Sequence, residues 1–168
     1  MTRALIVIDI QNDYFDGGVL PLWQAERVEV GVVKAIKSAQ AQGDKVILVR
    51  HQSSAPKGLF AAGSTGAEIR PTILAAAPDA PVVVKQVADA FQDADLANHL
   101  DGVQDLLICG MMTQNCVVFT ALSRMADGYN ISVIGDLCTA PMEVVHLVAL
   151  NALRSKGTVL NAADIYGG

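Results

Sequence analysis

The chain has 168 residues, of which 52% are hydrophobic, so it can bury a sizeable core, and we predict one domain over residues 1–168. Its formal net charge of −5, with no basic stripe, disfavours binding to nucleic acid or to an anionic membrane surface. The three cysteines suggest no disulfide framework, and the first apolar run is too short for a signal peptide or a membrane span, so we expect a cytoplasmic location.

Six short apolar runs along the chain predict β-strands. They cover residues 4–8, 46–49, 82–84, 106–109, 131–134 and 159–160. Residues that are apolar at consecutive positions are typical of strands that are buried on both faces, as in a parallel sheet. We therefore predict a parallel sheet that is covered on both sides.

Helix patterns lie between these runs and end at glycines. The segments are 26–42, 94–100, 114–127 and 141–156, which stop at or near Gly43, Gly102, Gly128 and Gly157. Alternation of strands and helices predicts an α/β fold with a doubly wound sheet. Residues 52–66, which are rich in Ser, Gly and Ala, predict either a mobile loop near the site or a packing segment between subunits.

Polar side chains follow five of the apolar runs. Ligands of an open parallel α/β sheet bind beyond the carboxyl ends of its strands, so these residues are the first candidates for a site. Asp9 follows the first run, His51 the second and Lys85 the third. The stretch that leads to Cys116 follows the fourth, and Asp136 comes close after the fifth. We expect Asp9, Lys85 and Cys116 to converge at one edge of the sheet.

Cys116 has the most informative local sequence. Thr113 is a good N-cap, which would place Cys116 in the first turn of a helix. Free backbone N–H groups and the helix dipole favour an anion there, so we expect a lowered thiol pKa and a nucleophilic thiolate. The same N–H groups could hold the oxyanion of a tetrahedral intermediate. The alternative is a buried, inert cysteine, which suits Cys109 better.

Lys85 and Asp9 each end an apolar run and are expected to act with the cysteine. Lys85 either has a depressed pKa or pairs with a carboxylate, the alternative being a strand-end lysine that points to solvent. Asp9 needs a partner in such an apolar strand and would be the general base for the thiol. Its alternative role, capping a turn, is filled more naturally by Asp13 and Asp16.

The three histidines do not form a site on sequence grounds. His51 could line the pocket or pair with the cysteine, whereas His99 and His146 fit surface or core positions in helices. No zinc-ligand spacing, Walker loop or dinucleotide-binding glycine pattern is present in the sequence. We therefore expect neither a metal nor a cofactor.

Residues 4–14 read Ala-Leu-Ile-Val-Ile-Asp-Ile-Gln-Asn-Asp-Tyr, and this stretch resembles the first motif of the isochorismatase-like cysteine hydrolases, in which the Asp is the catalytic base and a Gln follows two positions later. The run that ends at Lys85 resembles its lysine motif, and residues 90–91 resemble the small-aromatic step after it. Residues 106–117 resemble the nucleophile motif Gly-x-x-Thr-x-x-Cys-Val, and 136–139 the strand-end motif before the last helix.

This resemblance implies a Rossmann-like, three-layer αβα sandwich with a doubly wound six-stranded parallel sheet. It implies a catalytic triad of Asp9, Lys85 and Cys116 that works through a covalent intermediate on an amide, ureido or nitrile-like carbon of a small-molecule substrate. It also implies a cis peptide bond before Met112, an oxyanion hole formed by the backbone N–H groups of Met112 and Cys116, and a homo-oligomer, either a dimer or a tetramer.

Two features separate the chain from better-known branches of the family. Nicotinamidases carry an Asp and His metal cluster after the second strand, but residues 50–54 here read Arg-His-Gln-Ser-Ser, so a metal-dependent nicotinamidase is not expected. Isochorismatases, which hydrolyse a vinyl ether, often lack the cysteine. Cys116 therefore favours C–N hydrolysis, with vinyl ether hydrolysis as the alternative.

Two non-hydrolytic interpretations also remain. One is a thiol redox sensor that uses Cys116 with Cys109 or Cys138, and the other is a binding module without chemistry. A redox sensor has no need for the carboxylate of Asp9, whereas a hydrolase does. The candidate substrate-pocket residues are Gln11, Phe15, Trp23, His51, Phe91, Gln114 and Asn115. The aromatic rings suggest a flat or apolar group on the substrate, and Gln114 suggests an amide or carboxamide.

Overall fold

The computed structural model describes residues 2–167, so the two terminal residues of the predicted domain, 1 and 168, lie outside it. Its strands are β1 (Thr2–Ile8), β2 (Lys45–His51), β3 (Val82–Lys85), β4 (Val103–Met111), β5 (Asn130–Thr139) and β6 (Thr158–Leu160). All pair in parallel, in the order β3-β2-β1-β4-β5-β6. The predicted doubly wound, six-stranded sheet is confirmed, and its strand order reverses between β1 and β4.

Helices cover both faces of the sheet. They are α1 (Ala25–Ala41), α2 (Pro71–Ala76), α3 (Val118–Ala121), α4 (Glu143–Arg154) and α5 (Ala162–Tyr166), and a π-helical turn (Thr113–Val117) precedes α3. Successive residues of β1 alternate between two cores: Leu5 packs with α1, α2 and α5, while Ile6 packs with α3 and α4. This gives the expected three layers. No helix within residues 2–167 is long and apolar enough to span a membrane.

The sequence-based boundaries hold for the long elements and fail for the short ones. The predicted helices 26–42 and 141–156 correspond to α1 and α4. The predicted helix 114–127 is wrong as one element, because the π-helical turn and α3 stop at Ala121 and only a 3₁₀ turn follows. The segment 94–100 forms a 3₁₀ turn alone, and two short helices, α2 and α5, were not predicted.

Two predicted strand environments also differ. β3 lies at the edge of the sheet, and Val82 and Val84 are each 41% exposed, so this strand is not buried on both faces. β5 extends to Thr139 through an irregularity in its pairing with β4. Asp136 therefore lies inside the strand, exposed, where its carboxylate accepts a hydrogen bond from the Ala162 N–H (2.8 Å), and not at a strand end near the site.

Asp13 is one anchor of the segment of residues 52–66. The carboxylate of buried Asp13 accepts hydrogen bonds from the backbone N–H of Phe60 (2.7 Å) and from that of Val19 (3.3 Å). Phe60 is buried and makes an edge-to-face contact with Tyr14. Asp13 thus organises two loops at the carboxyl edge of the sheet, a larger role than the turn cap expected from sequence.

Gly110 marks the closest approach between the two central strands. Its φ of +121° is unfavourable for residues with a side chain, and a Cβ there would lie 2.0 Å from the carbonyl oxygen of Ile8. We expect Gly110→Ala to lower the free energy of unfolding by about 3 kcal/mol, measured by urea denaturation.

Gly128→Ala is the matched control. Gly128 is exposed, and a Cβ added to it would have no atom within 4 Å, so its substitution should change stability by less than about 0.5 kcal/mol. Equal stability of the two variants would contradict the close approach of β1 and β4.

Candidate active site

Three strands deliver the candidate residues to the carboxyl edge of the sheet. Asp9 follows β1 directly, with a left-handed φ of 50°, and Lys85 is the last residue of β3. Cys116 lies in the π-helical turn after β4. Because β2 separates β1 from β3, the Lys85 side chain must extend past the end of β2, where His51 is the last residue.

The structure brings the three predicted residues together around one ammonium group. Lys85 Nζ lies 2.8 Å from Asp9 Oδ2 and 3.2 Å from Cys116 Sγ. The side chains of Lys85 and Asp9 have no solvent exposure, and Cys116 is also buried. The expected convergence is therefore present, while the catalytic roles of the three residues stay predictions.

Two further acceptors surround the same ammonium. His51 Nδ1 and the Val87 carbonyl oxygen each lie 3.1 Å from Lys85 Nζ. An ammonium has three N–H groups, and these are directed at His51 Nδ1, the Val87 carbonyl oxygen and Cys116 Sγ. Asp9, the fourth neighbour, is held by its charge at 2.8 Å and not by an aligned hydrogen bond.

Asp9 retains hydrogen-bonding capacity. Its contact with Lys85 is an ion pair by distance, but the ammonium is not aligned as a hydrogen-bond donor, and neither carboxylate oxygen has an aligned donor among residues 2–167. Buried carboxylate oxygens normally have such donors. Asp9 can therefore accept a proton or an N–H group at the site without first breaking another hydrogen bond.

The ionisation of the cluster differs from the sequence-based expectation. Burial, together with the negative charge of Asp9, raises the pKa of Cys116 to about 12, although Lys85 opposes this. The expected lowering of the thiol pKa by a helix N-terminus is wrong for the free protein. Burial lowers the pKa of Lys85, but Asp9 and Cys116 outweigh it, so the net shift is upward and the ammonium is retained. Cys116 thus rests as a thiol and needs a base.

The contact between His51 and the Lys85 ammonium determines the tautomer of the His51 ring. Burial and the charge of Lys85 lower the pKa of His51, so its ring is neutral. Because an ammonium can only donate, His51 Nδ1 must accept, which leaves the hydrogen on Nε2. His51 is predicted from the sequence as a pocket residue. Its contact with Lys85 is not predicted, because the two residues lie 34 positions apart in the chain.

Gln11 fixes the end of β2 and does not offer a free amide to a pocket. Its side-chain amide donates to the carbonyl oxygens of His51 (2.8 Å) and Ala67 (2.7 Å), and its Oε1 accepts from the His51 N–H (2.8 Å). All of these bonds lie at a fully buried side chain. The glutamine two positions after Asp9 therefore positions the backbone that carries His51.

The other pocket candidates fall into two groups. Phe15 and Phe91 are each 2% exposed and packed, Phe15 under the Arg70 guanidinium at 4.2 Å and Phe91 against Tyr129 at 6.1 Å. The partly exposed candidates are Trp23, His51, Gln114 and Asn115. The second group can meet a substrate without rearrangement of the core, and its role stays a prediction.

The residue that precedes the helical turn of Cys116 is not the one predicted. Met112, not Thr113, is the residue before the helical turn, and no side chain caps it. The Thr113 hydroxyl instead contacts Nδ1 of buried His146 on α4 at 2.8 Å. The peptide bond between Met111 and Met112 is cis, as the family resemblance implied.

One group of side chains could in principle hold a metal ion. Within residues 2–167, Asp9, His51 and Cys116 each offer a ligand atom, and these atoms lie within 4.8 Å of one another. Lys85 Nζ is within 3.2 Å of all three residues, so an ammonium already supplies the positive charge at this point. A divalent cation would have to displace it, so the residues do not fit an added metal while Lys85 is protonated.

The buried ion pair generates a stability prediction. Lys85→Met should lower the free energy of unfolding by about 3–5 kcal/mol, because it leaves the Asp9 carboxylate buried without a cation. The double variant Asp9→Asn with Lys85→Met should recover a large part of that loss, because no buried charge then remains. Urea denaturation of the three proteins measures the effect.

Arg3→Met is the matched control, because it breaks the partly exposed Arg3–Asp44 pair (2.8 Å), whose side chains are 27% and 7% exposed. Solvent reaches the arginine and screens this pair, so the expected loss is about 1 kcal/mol, well below that of Lys85→Met. Similar losses for Lys85→Met and Arg3→Met would contradict a buried charge at Asp9.

Known proteins resemble this chain over most of its length. Residues 3–164 match the isochorismatase domain family. An uncharacterized isochorismatase family protein of Bacillus subtilis is 32% identical, over 99% of both chains. A probable inactive nicotinamidase of Arabidopsis thaliana is 29% identical over 92% of this chain and 89% of its own. A nicotinamidase of Escherichia coli is 25% identical over 81% and 82%.

Solved structures show the same fold. A crystal structure of a protein from Oleispira antarctica has a TM-score of 0.91 and 31% identity, covering 99% of this chain and 97% of its own. That of an isochorismatase family protein from Desulfovibrio vulgaris has a TM-score of 0.89 and 28% identity, covering 98% and 96%. On its sequence, its sheet order and these likenesses, the chain belongs to the isochorismatase-like hydrolase family.

Proposed function

We propose that the protein is a cysteine-dependent hydrolase that cleaves an amide or ureido C–N bond of a small molecule through a covalent bond to Cys116. The observation that carries the proposal is the buried Lys85 ammonium in contact with both the Asp9 carboxylate and the Cys116 thiol. The likeness to a nicotinamidase, an enzyme named for an amide substrate, supports the choice of a C–N bond.

The first half of the reaction forms a thioester. Asp9 takes the proton of the Cys116 thiol, and Sγ attacks the carbonyl carbon of the substrate. The carbonyl oxygen becomes an oxyanion, which the backbone N–H groups of Met112 and Cys116 are proposed to hold. When the C–N bond breaks, Asp9 returns its proton to the leaving amine, so the acyl group stays on Sγ and the amine departs neutral.

The second half releases the acid. Asp9, again a carboxylate, takes a proton from a water molecule, whose oxygen attacks the thioester carbon. The C–S bond then breaks, and the proton returns to the sulfur. The net reaction consumes one water and yields a carboxylic or carbamic acid and an amine, with the enzyme unchanged.

Lys85 supplies fixed positive charge throughout this cycle. A carboxylate and a developing thiolate cannot share a buried site without a cation, and Lys85 Nζ contacts both groups. Because burial raises the pKa of the thiol, proton transfer to Asp9 must accompany the attack of sulfur on the substrate. Apart from the substrate, one water molecule and the backbone N–H groups that hold the oxyanion, the cycle uses only these three side chains.

The proposal is tested with a panel of small amides and ureides, and with a vinyl ether as the alternative substrate class. We expect turnover of at least one C–N substrate and a mass increase at Cys116 that equals the acyl group, detected by mass spectrometry of the quenched reaction. Cys116→Ser and Asp9→Asn should each reduce kcat/KM at least about 1,000-fold. Turnover that survives Cys116→Ser, or turnover of the vinyl ether alone, would overturn the covalent C–N mechanism.

The thiol chemistry can be tested without a substrate, from the pH dependence of Cys116 alkylation by iodoacetamide. Asp9 raises and Lys85 lowers the pKa of Cys116, so the two substitutions should act in opposite directions. Asp9→Asn should lower the thiol pKa and accelerate alkylation at pH 7, although it abolishes turnover. Lys85→Met should raise the thiol pKa and slow alkylation.

Cys109 and Cys138 are internal controls in each protein, because both thiols are buried and free. Mass spectrometry of the digested protein separates the three sites. Alkylation of Cys116 that is indifferent to both substitutions would favour a binding module, in which the three side chains are not coupled.

A further inference from the structure

His51 is held in place through both its backbone and its ring. Its backbone N–H donates to Gln11 Oε1 (2.8 Å), and its carbonyl oxygen accepts from Gln11 Nε2 (2.8 Å). Its ring packs against Phe60, with ring centroids 5.6 Å apart, and its Nδ1 lies 3.1 Å from Lys85 Nζ. Gln11, Phe60 and Lys85 are all buried, so the position of the partly exposed imidazole is fixed before a substrate arrives.

One polar group of His51 remains without a use in the fold. Because Nδ1 accepts from Lys85, the ring hydrogen lies on Nε2, and no acceptor within residues 2–167 makes a hydrogen bond with it. Nε2 is not among the polar atoms that are both buried and unpartnered, so solvent reaches it. His51 therefore presents an open N–H donor at the carboxyl edge of the sheet.

This donor lies beside the groups that are proposed to react. A ring nitrogen of His51, a carboxylate oxygen of Asp9 and Cys116 Sγ are all within 4.8 Å of one another. A hydrogen bond spans about 2.9 Å, and a carbon that is about to be attacked lies about 3–3.5 Å from the nucleophile. The space between His51 and Cys116 therefore suits an acceptor that is two or three bonds from the scissile carbon.

The neighbours of His51 cannot replace it as a donor. The three N–H groups of Lys85 are already directed at His51, the Val87 carbonyl oxygen and Cys116. The Asp9 carboxylate can only accept, and the proton of the Cys116 thiol is the one that Asp9 is proposed to take. Within residues 2–167, His51 is thus the side chain in contact with this ammonium that has an unused N–H group.

We propose that His51 is the specificity-determining residue of the site, and that its Nε2–H group binds a second oxygen acceptor of the substrate, two or three bonds from the scissile carbon. The preferred substrates are then amides that carry a neighbouring carbonyl group, of the 1,2- or 1,3-dicarbonyl type, and not plain aliphatic amides. This inference rests on the proposed C–N hydrolysis. His51 itself neither gains nor loses a proton in the reaction.

The test compares matched pairs of small amides. Pyruvamide has a second carbonyl group where isobutyramide has a methyl branch, and malonamide has a second amide group where butyramide ends in an ethyl group. We expect the wild-type enzyme to prefer the dicarbonyl member of at least one pair about 10-fold or more in kcat/KM. The reason is that a donor of the site left without an acceptor disfavours the other member.

Three variants separate the donor from the other roles of the ring. His51→Phe keeps an aromatic ring next to Phe60 but removes both ring nitrogens, so the preference within the pair should fall about 10-fold. The loss of the contact with Lys85 affects both amides of a pair, and their intrinsic reactivities are the same in every variant, so the change in their ratio reports the donor alone. His51→Gln can accept from Lys85 through Oε1 and donate through Nε2, and it should restore part of the preference.

His99→Phe is the matched control. His99 ends a 3₁₀ turn whose backbone lies 3.4 Å from Lys45 Nζ, at the amino end of β2, and its side chain is 32% exposed. This variant should change neither the rates nor the ratio. A ratio that is the same in His51→Phe and in the wild type would overturn the inference, even if both rates fall, because His51 would then act only through Lys85 or on the scissile carbonyl group.

Binding to Cys116→Ala separates this inference from the proposed reaction, because no covalent bond can form there. NMR chemical-shift titration should give pyruvamide or malonamide a dissociation constant several-fold lower than that of its matched amide, and His51→Phe in the same background should abolish the difference. Such a difference in a protein that turns over none of the four amides would refute the proposed C–N cleavage and support the donor role. Equal dissociation constants within both pairs would overturn the donor role.

Discussion

The site depends on one buried ion pair, that of Lys85 with Asp9. A carboxylate at the end of the central strand β1, with no solvent exposure, would be too costly to retain without compensating charge. The ammonium that supplies this charge comes from β3, two strands away, and reaches its place past the end of β2. The arrangement therefore links three neighbouring strands at their carboxyl ends, and it requires that His51 and Gln11 hold the end of β2 in register. Removal of either charge would leave the other buried alone.

The thiol shows why local sequence was a poor guide to ionisation. A helix N-terminus contributes about 0.3–1 kcal/mol to the stability of an anion, and here the turn before α3 is short and uncapped. Burial of a thiol acts with several times that energy and in the opposite direction. The pKa of Cys116 is therefore governed by its depth and by Asp9, neither of which is visible in residues 110–117. A neutral thiol is a weaker nucleophile than a thiolate, so the resting site depends on a base for its reactivity.

Much of the fold could be predicted from the sequence because its signals are local. Consecutive apolar residues mark the strands β1, β2 and β4, and glycines mark the ends of α1 and α4. Each of these signals lies within or next to a single element, and these elements are found where they were predicted. Tertiary packing determines three other features: the early end of α3, the presence of helix α2 and the position of β3 at the edge of the sheet. In the site, the convergence of Asp9, Lys85 and Cys116 could be predicted because each lies at or beyond the end of a strand and in a family motif. The contacts of His51 with Lys85 and of Thr113 with His146 could not, since they join residues more than 30 positions apart.

Family membership does not by itself establish the reaction, since relatives of this chain include both a nicotinamidase and a probable inactive one. A buried thiol with a raised pKa needs a base within reach, and Asp9 contacts the same Lys85 ammonium as Cys116 does. Because Asp9 raises and Lys85 lowers the pKa of Cys116, the three side chains are coupled. The conjunction of the three motifs is therefore better evidence for catalysis than the nucleophile motif is by itself.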